Sequence, residues 1–219
     1  MVVFLSCYIL FLKNLNKRLF GKLYPLFLGD DELTSIYINA NLYKRKPITE
    51  LFLSQRENIN SDLLKEKGFV VGMPTSSGKT KVAELNILSV LKEFPNKLCI
   101  YIAPYKSLAN EIEKSFGPVF EVLNYQVSQL YGGFHNTMMD NRLIENANII
   151  IATPEKVKSL LRSNDQLRER LQLVIVDEGH LVGSDPRHIT SELLIEEIKI
   201  IVQKKSREIN STFSCSTKY

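Results

Sequence analysis

Gly68-Phe-Val-Val-Gly-Met-Pro-Thr-Ser-Ser-Gly-Lys-Thr80 is the stretch around which the chain is organised. The apolar run Phe69, Val70 and Val71 feeds a loop of small residues, and Lys79 and Thr80 then open an amphipathic segment. That order reads as strand, phosphate loop and helix. Small side chains at Ser76, Ser77 and Gly78 let the backbone curl until successive N–H groups point into one concavity. At the positive end of a helix, such a concavity binds phosphate. Lys79 would then reach the β- and γ-phosphates of a nucleotide, and the Thr80 hydroxyl would ligate Mg²⁺.

The loop departs from G-x-x-x-x-G-K-[ST] at one place: Met73 stands at the first position, and Gly72 lies one residue early. Taken alone, it reads equally as an ordinary strand-to-helix turn with an exposed lysine. A second element decides. In Leu173-Val-Ile-Val-Asp-Glu-Gly-His180, four apolar residues form a short buried strand that ends on Asp177 and Glu178. Open α/β sheets bind ligands at the carboxyl ends of their strands, so both motifs are expected at one sheet edge. Phosphoryl chemistry needs that pairing, one carboxylate to hold Mg²⁺ and a second to take a proton from the attacking water.

The 219 residues, 44% of them hydrophobic, suffice for one sizeable core and an appendage. A net charge of +4 and a pI of 8.8 permit a polyanionic partner without demanding one. Cys7, Cys99 and Cys215 are scattered, with no pairing or metal spacing, which points to a reducing, intracellular setting, cytoplasmic or nuclear. The apolar Met1–Leu12 is shorter than the roughly 20 residues a membrane span takes, and no basic region precedes it, so no membrane role is expected.

Residues 13–50 suggest one or two short helices broken at Gly21 and Pro25, then a loop ending near Pro47. From Thr49 the pattern alternates. Helices are expected over Leu53–Leu64, Lys79–Leu91, Ser107–Phe116, Pro154–Arg162 and about Thr190–Gln203. Strands are expected at Phe69, Leu98–Ala103, Tyr125–Leu130, Asn148–Ala152 and before Asp177. This predicts an α/β domain over 47–203 with a mostly parallel sheet covered on both faces, an N-terminal segment at 1–46 and a polar tail at 204–219. The clusters Arg162/Arg168/Arg170 and Lys204/Lys205/Arg207, and the loop histidines His135 and His188, read as solvated.

The motifs resemble superfamily 2 DExD/H-box helicases. Met73-Pro-Thr-Ser-Ser-Gly-Lys-Thr80 and Asp177-Glu-Gly-His180 are similar to motifs I and II, and that family's loop commonly begins M-P-T, which accounts for Met73. Ala103-Pro-Tyr-Lys-Ser-Leu-Ala-Asn-Glu111 resembles motif Ia, Tyr131-Gly-Gly133 the GG motif and Thr153-Pro-Glu-Lys156 motif Ib. Ser54-Gln-Arg-Glu57 stands at the position of the Q-motif, with Ser54 replacing the usual proline. The wording is closest to the Ski-type DExH branch.

The resemblance covers about residues 50–200 and implies the first of two RecA-like domains. It implies ATP and Mg²⁺ as cofactors. Gln55, Thr75, Ser76, Ser77, Gly78, Lys79 and Thr80 would hold the nucleotide, with Thr80 and Asp177 on the metal. Lys79, Asp177 and Glu178 would be catalytic, and His180 would couple the γ-phosphate to the rest of the motor. Pro104, Lys106, Gly133, Thr153 and Pro154 would track the backbone of a single RNA or DNA strand. The family's Ser-Ala-Thr motif does not follow the last helix, and a second RecA-like domain with its arginine finger is expected from outside this chain. Two other readings stay open: a catalytically silent fragment that binds nucleic acid or protein, and a restriction- or defence-type translocase on duplex DNA.

Overall fold

The computed structural model describes residues 31–44, 48, 51–52, 55, 70–72, 78–130, 138–179 and 188–201. They divide into two compact units: one takes the chain up to Lys97 together with Ile112–Val127, the other takes Leu98–Glu111 and the chain from Ser128.

In the first unit, helix α1 (Asp31–Leu42) buries Tyr37, Ile38 and Asn41. The sequence reading placed a loop here. The segment has little amphipathic patterning, and it is long-range contacts from its few buried side chains that hold it. Helix α2 (Lys79–Glu93) buries Val82, Leu85, Leu88 and Leu91, the face expected from their spacing. It also buries Lys81 and Glu84.

Isolated buried charges are costly, and these are paired. Lys81 Nζ donates to Glu84 Oε1 and, at 2.7 Å, to Asn41 Oδ1. Tyr37 Oη donates to the same Glu84 oxygen at 2.7 Å. Glu84 Oε2 accepts no hydrogen bond among the described residues; Lys44 Nζ faces it at 3.8 Å. Burial pushes the Tyr37 phenol up and the Lys81 ammonium down. This network fastens α1 to α2. Helix α3 (Lys106–Val122) runs past the expected end at Phe116, through Gly117 and Pro118, because Val119 and Phe120 are fully buried. Phe116 and Phe120 meet edge to face at 5.6 Å, and Tyr125 Oη donates to Leu91 O at 3.3 Å.

The second unit holds the sheet, in the order β2 (Val127–Leu130), β3 (Ile149–Ala152), β1 (Leu98–Ile102), β4 (Leu171–Val176). β1 pairs parallel with both β3 and β4. Side chains alternate along each strand. Leu98, Ile100, Ile102, Ile150, Ala152, Val174 and Val176 thus face one core, shared with α4 (Met138–Asn146), α5 (Pro154–Ser163), α6 (Asp165–Arg170) and α7 (188–201). Cys99, Tyr101, Ile149 and Ile151 point the other way and are also buried, as expected of a parallel sheet covered on both faces.

The expected strand at Phe69–Val71 is corrected. Val70, Val71 and Gly72 belong to no strand and Val70 is 96% exposed, while Phe69 lies outside the described residues. An apolar run becomes a strand only when a neighbouring strand takes its backbone groups.

Arg168 and Arg170 do not form a solvated face. Arg170 donates to the carbonyls of Ile144 at 2.8 Å, Glu145 at 3.0 Å and Ala147 at 2.6 Å, closing the C-terminal end of α4. Arg168 donates to Leu161 O at 2.6 Å.

Candidate nucleotide and nucleic-acid site

Gly78 precedes α2 with φ 79°, a left-handed conformation that glycine alone adopts without strain. Among the described residues no side chain caps this helix end, and its first turn carries no acidic residue. Lys79 and Thr80 are its first two residues and both are half-buried. The helix therefore presents its positive end together with a lysine and a hydroxyl, a donor set suited to an anion. Gln55 is 4% exposed: its Oε1 accepts from Phe52 N–H at 2.9 Å, and its Nε2 donates to Gly78 O at 3.0 Å. The resemblance counts Gln55 among the residues that would hold the nucleotide, whereas its two bonds here brace the loop. Thr75, Ser76 and Ser77 lie outside the described residues, as do Gly133 and His180.

In the second unit the carboxyl ends of β1, β3 and β4 open into one cleft. Asp177 follows β4 directly, and its N–H donates to Ile102 O at 2.9 Å, carrying the ladder one residue further. Tyr101 stands opposite Ile175, so Asp177, two residues on, shares its face. Tyr101 Oη donates to Asp177 Oδ2 at 2.6 Å, and Glu178 N–H donates to Asp177 Oδ1 at 2.9 Å. Burial first, then the bond to Asp177, pushes the Tyr101 phenol well up, so it stays a donor. Glu178 sits at φ 52°, a left-handed conformation that costs a non-glycine residue about 1–2 kcal/mol. Such outliers cluster at active sites.

Pro104 and Pro154 line the same cleft, with Glu155 beside them. Thr153 and Pro154 are buried, whereas Lys106 is exposed at the start of α3. Lys156 is buried and donates to Asp140 Oδ2 at 2.8 Å, so its charge serves α4 and α5. The sequence reading treated His188 as a solvated loop residue. It begins α7 and lines the cleft, with Ser191 and Glu192 one turn on. Tyr101 was missed as well. The available signal was a lone polar tip in the apolar strand Leu98–Ile102, since a buried tyrosine hydroxyl usually has a partner.

Among the described residues no cluster of three His, Cys, Asp or Glu is placed to hold a metal by itself. The Asp177 carboxylate is an oxygen donor of the kind Mg²⁺ takes, since Mg²⁺ keeps several waters and is commonly held by one or two carboxylates plus substrate phosphates.

A family model of DEAD/DEAH box helicases matches residues 53–217. The chain belongs to the DEAD/DEAH box helicase family. This helicase domain is 60% identical over 188 residues to Hachiman protein HamB of Bacillus cereus, covering 86% of the chain and 17% of that relative. It is 35% identical over 155 residues to ATP-dependent DNA helicase Hel308 of Pyrococcus horikoshii, covering 71% of the chain and 21% of the relative. With the probable ATP-dependent DNA helicase HFM1 of Mus musculus, it shares 33% over 182 residues, 78% of the chain and 12% of the relative. The helicase domain thus spans a minor part of these relatives.

Two solved structures share the fold. A hypothetical ATP-dependent RNA helicase from Sulfolobus tokodaii matches with TM-score 0.59 at 22% identity, over 78% of this chain and 47% of that one. The DUF1998 helicase MrfA bound to DNA matches with TM-score 0.55 at 23% identity, over 66% and 21%. The fold is the RecA-like α/β fold of helicases, as expected from the sequence. Family members use ATP, usually with Mg²⁺, and act on nucleic acid. Among the described residues no helix is long and apolar enough to cross a membrane.

Proposed function

We propose that this helicase domain binds Mg·ATP and couples its hydrolysis to movement on or remodelling of a nucleic-acid strand, DNA in the first instance. The observation that carries the reading is Gly78 in a left-handed conformation at the start of α2, whose first turn has no acidic residue and begins with Lys79 and Thr80. Gln55, Thr75, Ser76, Ser77 and Gly78 would shape the nucleotide pocket. Lys79 would face the β/γ-phosphates, with Thr80 and Asp177 toward the metal. Glu178 would accept the proton of the attacking water, and His180 would relay the state of the γ-phosphate. Bound Mg²⁺ supplies charge neutralisation on the phosphates. Pro104, Lys106, Gly133, Thr153 and Pro154 would follow the strand's backbone.

DNA is favoured because Hel308 and HFM1, at 35% and 33% identity, are named DNA helicases, whereas the RNA helicase structure at 22% supports only the fold. The buried free thiol of Cys99 suits an intracellular setting. Calorimetry of the full chain with ATP tests the reading, alone and with single-stranded DNA, single-stranded RNA or duplex DNA. The expected result is Mg²⁺-dependent ATP binding that Lys79→Ala abolishes or weakens severely, strengthened most by single-stranded DNA. ATP binding undiminished in Lys79→Ala would overturn the phosphate-loop assignment, and strengthening by RNA alone would overturn the choice of DNA.

A further inference from the structure

We infer that Tyr101 is the positioning residue for the Asp177 carboxylate, fixing its rotamer so that it can serve Mg²⁺. The inference rests on the proposed Mg·ATP reading and deepens it. Asp177 is held at three points. Its N–H is tied to Ile102 O at 2.9 Å, its Oδ1 accepts from Glu178 N–H at 2.9 Å, and its Oδ2 accepts from Tyr101 Oη at 2.6 Å. The first is a backbone ladder bond to β1 and the second comes from the N–H of the turn itself. Among the described residues, Tyr101 is the one side chain recorded on this carboxylate, and it comes from a neighbouring strand.

Its own position is rigid. Tyr101 is 2% exposed and lies in β1 between Ile151 of β3 and Ile175 of β4. A carboxylate oxygen can accept about two hydrogen bonds, so the one bond that each oxygen accepts among the described residues leaves a second acceptor site on each for metal-bound water. The hydroxyl thus orients the group without exhausting it. Partners of this kind behind a ligating carboxylate typically matter by about 10–100-fold in metal affinity.

The test compares Tyr101→Phe, which keeps the ring and its packing, with the unmutated 219-residue chain. ATP affinity is measured by calorimetry in Mg²⁺ and in EDTA. The expected result is an unchanged affinity in EDTA and a loss of about tenfold in the Mg²⁺-dependent gain. In an Asp177→Asn background, Tyr101→Phe should then have no further effect, because the two residues act as one unit. Equal weakening with and without Mg²⁺ would mean a purely structural role and would overturn the inference, as would an unaltered Mg²⁺ gain. If Tyr101→Phe fails to fold, the hydroxyl serves the fold rather than the pose of the carboxylate, and the inference is overturned. Asp177→Asn must erase the Mg²⁺ gain, and a gain that survives it removes the carboxylate that Tyr101 is said to position. Failure of the unmutated chain to bind ATP at all would overturn the parent reading and this one together.

Discussion

Gln55 Nε2 donates to Gly78 O at 3.0 Å, and a Cβ added to Gly78 would lie 2.0 Å from that same nitrogen. Loop and glutamine therefore depend on each other. Gly78→Ala combines the left-handed backbone penalty, about 1–2 kcal/mol, with eviction of a buried amide from its two hydrogen bonds, at about 1 kcal/mol each. We expect a drop of about 3–4 kcal/mol in denaturant-derived stability, together with loss of nucleotide binding. In the double variant Gln55→Ala/Gly78→Ala the steric conflict disappears and only the backbone cost of the alanine remains. The two changes should then cost less together than the sum of each alone. Additive losses would show that the two residues are uncoupled.

Glu178 separates a chemical role from a backbone role. Its φ of 52° is unfavourable for any side chain and harmless for glycine. Glu178→Gly should be more stable than Glu178→Ala by about 1 kcal/mol, whereas Glu178→Gln should match the parent chain in ATP affinity. All three should lack ATP hydrolysis where the unmutated protein supports it. Thermal melts and a phosphate-release assay check both halves.

Arg170 recognises three carbonyls at the end of α4 with its planar fork of N–H groups. Arg170→Met should cost about 1–3 kcal/mol by leaving those acceptors without their donor. Arg170→Lys should recover little, since a point ammonium does not match a fork. Urea unfolding of the three proteins distinguishes these outcomes. Full recovery by lysine would reduce the role of Arg170 to simple charge.

Alkaline pH should destabilise the domain through Cys99. Burial raises its thiol from an ordinary 9.0 to about 12. Above pH 9 the unfolded chain loses this proton while the folded chain keeps it, so the stability present below pH 9 is lost progressively up to about pH 12. The raised phenols of Tyr37 and Tyr101 act in the same direction above pH 10, and the lowered Lys81 acts in the opposite direction below its ordinary 10.5. The phenols contribute little from pH 9 to 10, and Lys81 contributes equally to the parent chain and to Cys99→Val, so the difference between those two proteins over that interval isolates the thiol. Cys99→Val should flatten the fall of stability there by up to about 1 kcal/mol, read from urea midpoints at the two pH values. An unchanged slope would place the effect elsewhere.

Local chemistry was enough to locate most of what positions the candidate site. Alternation of apolar runs with amphipathic segments marked β1, β3, β4, α2 and α5, since these patterns follow from the strand and helix periods alone. The glycine before Lys79, the small residues of its loop and the acidic pair after an apolar run marked the nucleotide motifs. Their order along the chain was specific enough to indicate the helicase family. What sequence could not decide depended on partners far away in the chain. Val70 and Val71 look like a strand, but strands exist only through a neighbour's backbone groups. Residues 31–42 look like a loop, yet form a helix because Tyr37 and Asn41 bond to Glu84 and Lys81 on another helix. Arg170 becomes a helix cap through residues more than twenty positions earlier. Tyr101 and Asp177 share a sheet face only because β1 and β4 pair in one register, a relationship that no spacing along the chain encodes.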